Sequence, residues 1–309
     1  MKIAIFGGAG FIGSNLVDFF GKKYGFDNIK VIDNLYSGKT KNIREVIERY
    51  NFHPHDIVFH KTKIEEIYVE FKPDITIHCA SLIDVRESMD TPNKYMYVIE
   101  NGTYNIADLC AKYNSHLINI SSGGALFDTS KDFIASDSST PSPISVYGMC
   151  KLNAERWIDF LKLSKGLKAC TLRLANVYGE NQDGSKESGI ISILIENILK
   201  DKITNIFGDG NQIRDYIYVQ DVVKIIDKAI DTKLEDTIIL GTGEKTSVND
   251  LISIFELILN RKLSVKYLPE KSGDLKYSHF LTRKLEYWYG QPLTWLEEGI
   301  RKTLDYYKK

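Results

Sequence analysis

Long apolar runs are absent from this chain. No hydrophobic stretch approaches the roughly 20 residues that a helix needs to cross a bilayer, so no membrane-spanning segment is expected. Charge of one sign is missing too: 40 basic and 41 acidic residues leave a net charge of −1. No basic field is available to attract nucleic acid or an anionic membrane surface. Cysteine is scarce. Cys79, Cys110, Cys150 and Cys170 are widely spaced in apolar segments and are expected as reduced core residues of a cytoplasmic protein. Metal-ligand spacing is lacking: His53-Pro-His55 with His60 has no acidic or cysteine partner at a ligand interval, so a solvated loop is expected and no metal. There are no internal repeats and no low-complexity linker, and the N-terminus reads as a first strand rather than a signal peptide.

What is present is glycine at a telling place. Lys2-Ile-Ala-Ile-Phe runs straight into Gly7-Gly-Ala-Gly10-Phe11-Ile12-Gly13, and an amphipathic stretch follows with Leu16, Val17, Phe19 and Phe20. Strand, glycine turn and helix in this order make a dinucleotide-phosphate site. No Cβ blocks a pyrophosphate, and the helix turns its N-terminal N–H groups and positive dipole end toward it. The spacing is Gly-x-x-Gly-x-x-Gly rather than the commoner GxGxxG. A second short apolar strand, 29–33, ends in Asp33, twenty residues after Gly13. A carboxylate there accepts hydrogen bonds from the adenosine ribose hydroxyls and repels a 2′-phosphate. Neither Asn34 nor Leu35 supplies an arginine in compensation, so NAD is favoured over NADP. Capping a turn before Asn34 is the alternative role for Asp33.

Tyr-x-x-x-Lys occurs three times, starting at Tyr68, Tyr147 and Tyr267, and by itself means little. Only Tyr147 follows a strand ending in Ser121-Ser122 and lies on a predicted helix. Positions four apart share a helix face. The Lys151 ammonium would there favour the Tyr147 phenolate, bringing a group with an ordinary pKa of about 10 toward use as a base. A surface tyrosine–lysine pair is the structural alternative.

Strands and helices alternate through the first half. Segments 56–62 and 75–80 are the third and fourth strand candidates, 92–113 is helical, and 117–122 is a fifth strand. A long helix covers 145–164 and a sixth strand 169–174. The pattern predicts an α/β fold with a doubly wound, Rossmann-type parallel sheet. Beyond Gly179 it loosens: polar 181–189, a helix over 190–200, a turn at 207–211, a strand over 213–219 and a helix over 222–231. A short strand (237–240), a helix (248–259) and loops follow. A smaller mixed α/β C-terminal substrate domain is expected to close over the end of the sheet. The predicted division assigns 1–179 and about 209–236 to an NAD-binding domain, and about 180–208 with 237–309 to a substrate-binding domain. Ligands in such folds bind at the carboxyl ends of the strands, where the two parts meet.

Further segments join the glycine turn and Tyr147 in sequence order. They are Asp33-Asn-Leu, Ile77-His-Cys-Ala80, Ser121-Ser-Gly-Gly-Ala125, Leu172-Arg-Leu-Ala-Asn176-Val-Tyr-Gly179, Gly208-Asp-Gly-Asn-Gln-Ile-Arg214-Asp-Tyr216, Leu240-Gly-Thr-Gly243 and Lys271-Ser-Gly-Asp274. Over its whole length the chain resembles the extended short-chain dehydrogenase/reductases, specifically the nucleotide-sugar epimerases and dehydratases, in the group around UDP-glucose 4-epimerase. The resemblance implies a tightly held NAD and a nucleoside-diphosphate sugar as substrate. It implies cofactor contacts from Gly7, Gly10, Phe11, Ile12, Gly13, Asp33, Asn34, Ser37, Ile64, Ala80, Ser81, Ser121, Tyr147 and Lys151. On the substrate side it implies Gly123, with Asn176 and Arg214 at the diphosphate and Tyr216 and Asp274 at the sugar-nucleotide. Lys271 stands where an arginine usually grips phosphate. A guanidinium in a glycine-flanked turn suits a diphosphate on chemical grounds alone; an ion pair with Asp215 or Asp221 is the alternative for Arg214.

The chain departs from the family pattern at several points. Four residues before the loop aromatic Phe127, where the family keeps a catalytic Ser or Thr, stands Gly123. Either Ser122 shifts into that role or Tyr147 works alone. Phe127-Asp128 replaces a Tyr-Gly, Lys63 replaces an adenine-binding Asp, and Ile99, with Asn101 nearby, replaces an Asn near the nicotinamide. Gly124 and Ala125 stand where dehydratases carry Asp-Glu, and the Glu of related decarboxylases is absent, which sets both subclasses aside. The expected activity is 4-epimerisation. Tyr147, with Lys151 and Ser122, takes the sugar C4 hydroxyl proton while hydride passes to NAD and returns to the other face. A 4-dehydrogenase releasing the keto sugar and a non-catalytic NAD-binding protein are the alternatives. Ser278, four residues past Asp274, is small and leaves room for a bulky sugar. Helices 92–113 and 145–164 carry apolar residues on more than one face (Val98, Ile106, Leu109; Trp157, Ile158, Leu161), and the family commonly dimerises through them, so a homodimer is expected.

The carboxylate of Asp33 carries a prediction of its own. The protein should bind NAD at least about tenfold more tightly than NADP, since a 2′-phosphate would face an uncompensated negative charge. Equal affinities in a direct titration would remove Asp33 from this role.

Overall fold

The computed structural model describes residues 1–128, 134–184, 189–270 and 276–308. Its centre is a seven-stranded parallel sheet: β1 (Ile3–Phe6), β2 (Ile29–Ile32), β3 (Phe52–His53), β4 (Ile75–His78), β5 (His116–Ser122), β6 (Ala169–Leu174) and β7 (Thr237–Leu240). The spatial order is β7-β6-β5-β4-β1-β2-β3. The order reverses between β1 and β4, the switch point at which doubly wound sheets bind ligands. Helices of ten residues or more among the described residues are α1 (Phe11–Tyr24), α2 (Lys61–Phe71), α3 (Gly102–Tyr113), α4 (Val146–Lys165), α5 (Ile190–Leu199), α6 (Val219–Asp231), α7 (Val248–Leu259) and α8 (Leu296–Tyr307). None of the described helices is long and apolar enough to cross a membrane.

The strands are largely apolar, and buried along most of their length, because both faces of the sheet are covered. Successive side chains of β1 point to opposite faces. Ile3 and Ile5 join one core with Leu16, Val17 and Phe20 of α1 and Val222 and Ile226 of α6. Ala4 and Phe6 join the other with Ile64 and Ile67 of α2, Ile106 and Leu109 of α3, and Ile158 of α4. A third core, with Tyr178, Leu194, Tyr218, Leu251, Phe255 and Ile300, lies under α5, α7 and α8 at the carboxyl end of the sheet. Short strand pairs tie this part together. Asn176–Tyr178 runs parallel to Tyr216–Tyr218, and Ile213–Arg214 lies between Thr246–Ser247 and Tyr277–Ser278.

Three expectations change. The third strand is Phe52–His53, not 56–62. Pro54 cannot donate to a ladder, and Asp56 then closes a turn by accepting the Val58 and Phe59 N–H groups at 2.8 and 3.2 Å. The strand over 213–219 is two strands broken at Asp215, and α6 begins at Val219 rather than at 222. The buried Asp215 carboxylate turns away to accept the N–H groups of Thr242 and Gly243 at 2.8 and 2.9 Å. Lastly, Thr237–Leu240, grouped in the sequence reading with the smaller part, is β7 of the central sheet, paired in parallel register with β6. The helical stretch from 92 to 113 is continuous but carries a π-helical segment at Met96–Asn101.

Candidate active site

At the end of β1 the chain turns at Gly7 with φ of 74°. A Cβ there would lie 2.6 Å from the Ala80 nitrogen, and one on Gly13 would lie 2.2 Å from the Gly7 carbonyl oxygen. Turn and helix start are therefore folded against each other with no space for side chains. Gly10 precedes α1 without a side-chain cap. The N–H groups of Phe11, Ile12 and Gly13 lack intrahelical acceptors at the positive end of the helix dipole, which suits a pyrophosphate.

Asp33 follows β2, is buried, and accepts the Ala9 N–H at 3.0 Å and the Leu35 N–H at 2.8 Å. It does cap the turn before Asn34, and its carboxylate still has lone pairs for a ribose. Burial raises its pKa and the two backbone donors oppose that rise. The Asn34 amide donates to Asp56 Oδ2 at 2.8 Å. Asp56 thus stands beside Asn34 at the carboxyl ends of β2 and β3, a position the sequence reading missed. The signal was an acid just past the third strand, hidden because that strand was placed too late. The Ile64 side chain is buried on α2 in the core that also holds Phe6, Ile67 and Tyr68. Lys63 is at the surface, 3.0 Å from Glu66. Ser37 is exposed, and the Ser81 hydroxyl donates to the Leu82 carbonyl at 2.8 Å.

Ser145 caps α4, its hydroxyl accepting the Gly148 N–H at 3.1 Å. A Cβ on Gly148 would lie 2.1 Å from the Ala125 carbonyl oxygen. Without it, the loop after β5 rests on the first turn of α4. The Ser122 hydroxyl there accepts the Ala125 N–H at 3.3 Å and faces the Tyr147 hydroxyl. Burial pushes Tyr147 up to about 12, and hydrogen bonding to Ser122 pulls the other way. Its ring packs with Leu82, Tyr95, Ala125 and Ile99, the last an apolar wall where an asparagine was expected; Asn101 is exposed. Lys151, one turn on, is buried and donates from Nζ to the Ile120 carbonyl at 3.2 Å. Burial lowers it to about 8. The two residues share a face of α4, and Lys151 is directed at the end of β5 rather than hydrogen-bonded to Tyr147. Ser121, paired in register with Arg173 of β6, has a buried hydroxyl with no hydrogen-bond partner among the described residues.

On the other side of the cleft, the Gly123 N–H donates to the Leu174 carbonyl at 2.7 Å. A Cβ on Gly123 would lie 3.0 Å from both that oxygen and Phe280 Cζ. A serine would be crowded here, and the hydroxyl that faces Tyr147 belongs to Ser122. Asn176 donates from its side chain to the Asp215 carbonyl at 3.2 Å. Arg214, half-buried, sits opposite Ser278 in register and donates to the Ile213 carbonyl at 2.7 Å. Asp221, an alternative partner for it, accepts the Thr294 N–H at 2.7 Å. The Tyr216 and Ser278 hydroxyls are buried and have no hydrogen-bond partner among the described residues. Ser278 Oγ lies 2.8 Å from where a Gly124 Cβ would be. Lys271 and Asp274 lie outside the described residues.

A glycine turn that suits a pyrophosphate, an acid that suits a ribose, and half-buried Ser122 facing buried Tyr147 near buried Lys151 are the features of a dinucleotide-dependent enzyme acting on a hydroxyl. The family model for the NAD dependent epimerase/dehydratase family matches residues 3–241, and the chain belongs to that family. The UDP-glucose 4-epimerase of Mycolicibacterium smegmatis is 31% identical over 314 residues, which cover 100% of this chain and 99% of that protein. The solved structure of UDP-glucose 4-epimerase with UDP-glucose from Thermotoga maritima has a TM-score of 0.92 at 32% identity, covering 100% of this chain and 99% of that one. That of the Thermus thermophilus UDP-glucose 4-epimerase complex with NAD has a TM-score of 0.90 at 30% identity, with coverage of 100% and 99%. The residues present fit NAD: a cradle that any Cβ would fill, a buried carboxylate at β2, and the orphaned Ser121 hydroxyl beside Lys151.

The crowding at Gly123 separates the two candidate hydroxyl positions. Ser122→Ala should lower turnover by roughly 10–10³-fold, the size expected for a positioned donor, and Gly123→Ser should not raise it. A silent Ser122→Ala together with a faster Gly123→Ser in steady-state assays would reverse the assignment.

Proposed function

We propose that this protein is an NAD-dependent nucleotide-sugar 4-epimerase. The observation that carries the reading is the Ser122 hydroxyl facing Tyr147 beside buried Lys151, in a chain coextensive with the 4-epimerases it resembles. Bound NAD supplies the acceptor and returning donor of hydride. The residues of the chain supply proton transfer and orientation. Tyr147 takes the proton of the sugar C4 hydroxyl and later returns it, and Ser122 shares the hydrogen bond to that oxygen. A phenol pushed up to about 12 by burial needs a nearby cation to work at neutral pH. The Lys151 ammonium, one turn away in the same dry site, is that cation. Gly124 and Ala125 bring no carboxylate to the loop, which argues against elimination of water.

Arg214 and Asn176 are the groups for the substrate diphosphate. The buried Tyr216 and Ser278 hydroxyls are the donors left for the sugar-nucleotide. Gly123, Gly124 and Ser278 are all small, which suits a sugar bulkier than a plain hexose, such as an N-acetyl hexosamine. Volume alone discriminates by only about 1–3 kcal/mol, so residual activity on the plain sugar goes with this reading. Four free cysteines suit a reducing cytoplasm. Exposed Phe160 and Trp157 on α4 form an aromatic row with Tyr104 of α3, their rings 6.0 and 5.2 Å apart. A second copy packed on the same helices, giving a homodimer, would cover this row.

Removing the base tests the mechanism. Tyr147→Phe should fold and retain NAD yet lose epimerisation by at least about 10²-fold. Turnover within a few-fold of the unaltered enzyme, measured on folded protein with bound NAD, would contradict the assignment.

A further inference from the structure

A buried ion pair beneath the site takes no part in the steps above. Glu155 and Arg173 are 5% and 8% exposed. Arg173 donates from Nε to both Glu155 oxygens at 3.2 Å and from a terminal nitrogen to Oε2 at 2.7 Å. Burying two ions costs several kcal/mol each, and apolar residues of similar volume often serve stability as well or better. The placement of the pair gives it another use. Tyr147, Lys151 and Glu155 are spaced four apart on α4 and share one face. Arg173 reaches in from β6, opposite Ser121 and next to Ile120, whose carbonyl accepts Lys151 Nζ.

Lys151 needs the support. It is buried, and among the described residues its one hydrogen bond is to that carbonyl and it has no ion pair. Four titratable groups bear on its surroundings: His78 and Cys79 at the end of β4 and Glu155 on α4, which interact with it, and Tyr147, one turn before it on α4. Burial keeps His78 neutral, lowering it to about 3, and keeps Cys79 and Tyr147 protonated, each raised to about 12. Against the lowering by burial, Cys79 and then Glu155 act on Lys151, and Glu155 is the carboxylate of the four. Asp137, a half-buried carboxylate that accepts the Ile239 N–H at 2.8 Å, also interacts with Arg173.

We propose that the Glu155/Arg173 pair is a positioning device for Lys151. The carboxylate keeps the ammonium charged and aimed at the end of β5. Arg173 occupies both carboxylate oxygens, so Glu155 acts through its field and does not capture the lysine. This rests on the role given to Tyr147 and Lys151 above.

The test uses the NAD-containing enzyme and two readouts. One is a 13C NMR titration of the Lys151 ε-carbon in lysine-labelled protein, its signal assigned with Lys151→Met. The other is the pH profile of kcat. Glu155→Gln removes the negative charge, so Lys151 should release its proton at lower pH, by about one unit. The alkaline limb of kcat should move down with it, with KM changed less than about twofold. If Glu155→Gln does not fold, Glu155→Gln with Arg173→Met leaves no unpaired buried charge. That double variant should fold and show kcat at least about tenfold lower at unchanged KM. An unaltered Lys151 titration and kcat profile in the folded variant would overturn the positioning role. Lys151→Met separates the two readings. If it is inactive while the Glu155 variant behaves like the parent, only the positioning role fails. If it retains full turnover, the reading of the site fails as well.

Discussion

The site depends on a contact that a single methyl group would block. At Gly148 the first turn of α4 lies so close to the Ala125 carbonyl that a Cβ would stand 2.1 Å from it. Because glycine is there, the loop after β5 can lie on the helix, and Ser122 at the end of the strand faces Tyr147 near the start of the helix. The later turns of the same helix then carry Lys151 and Glu155 along the face toward β5 and β6. The glycine turn after β1 repeats the principle on the cofactor side, where Gly7 lets the backbone approach Ala80 at the end of β4. Close backbone approach, made possible by missing side chains, brings the two halves of the chemistry to one edge of the sheet.

Burial then sets the chemistry. Tyr147 is held as a phenol and Lys151 holds its proton less tightly than a solvated lysine, both because water is excluded. In such surroundings a charge one helical turn away acts strongly, and the role proposed for Lys151 rests on that field rather than on a hydrogen bond to Tyr147. The same exclusion makes the unpartnered hydroxyls of Ser121, Tyr216 and Ser278 costly unless a ligand meets them. One is at the β5 end, and two are on the short strands Tyr216–Tyr218 and Tyr277–Ser278.

Much of this was legible in the sequence, and the reasons differ by residue. The glycine turn, Asp33 after β2 and the helix at 145–164 are short-range patterns, and the structure has each within a residue or two. Asp56 was missed because a proline and an Asx turn ended the third strand earlier than its apolar residues suggested. The 213–219 segment alternates like one strand, but the buried Asp215 carboxylate needed N–H partners from residues 242 and 243. The sheet to which 237–240 belongs is a matter of long-range pairing, which local pattern does not carry. The choice between Ser122 and Gly123 turns on the Leu174 carbonyl and the Phe280 ring, distant in sequence from both. The Glu155/Arg173 pair joins a helix to a strand and carries no local signature.

The central claim is that Ser122 and Tyr147 serve a closed cycle at the sugar C4, in which hydride leaves and returns without loss. The most direct measurement follows a nucleoside-diphosphate sugar deuterated at C4 through turnover. The account predicts that the epimeric product keeps its deuterium at C4 and that no reduced cofactor accumulates. Loss of the label to solvent, or stoichiometric reduced cofactor with a released 4-keto sugar, would contradict it.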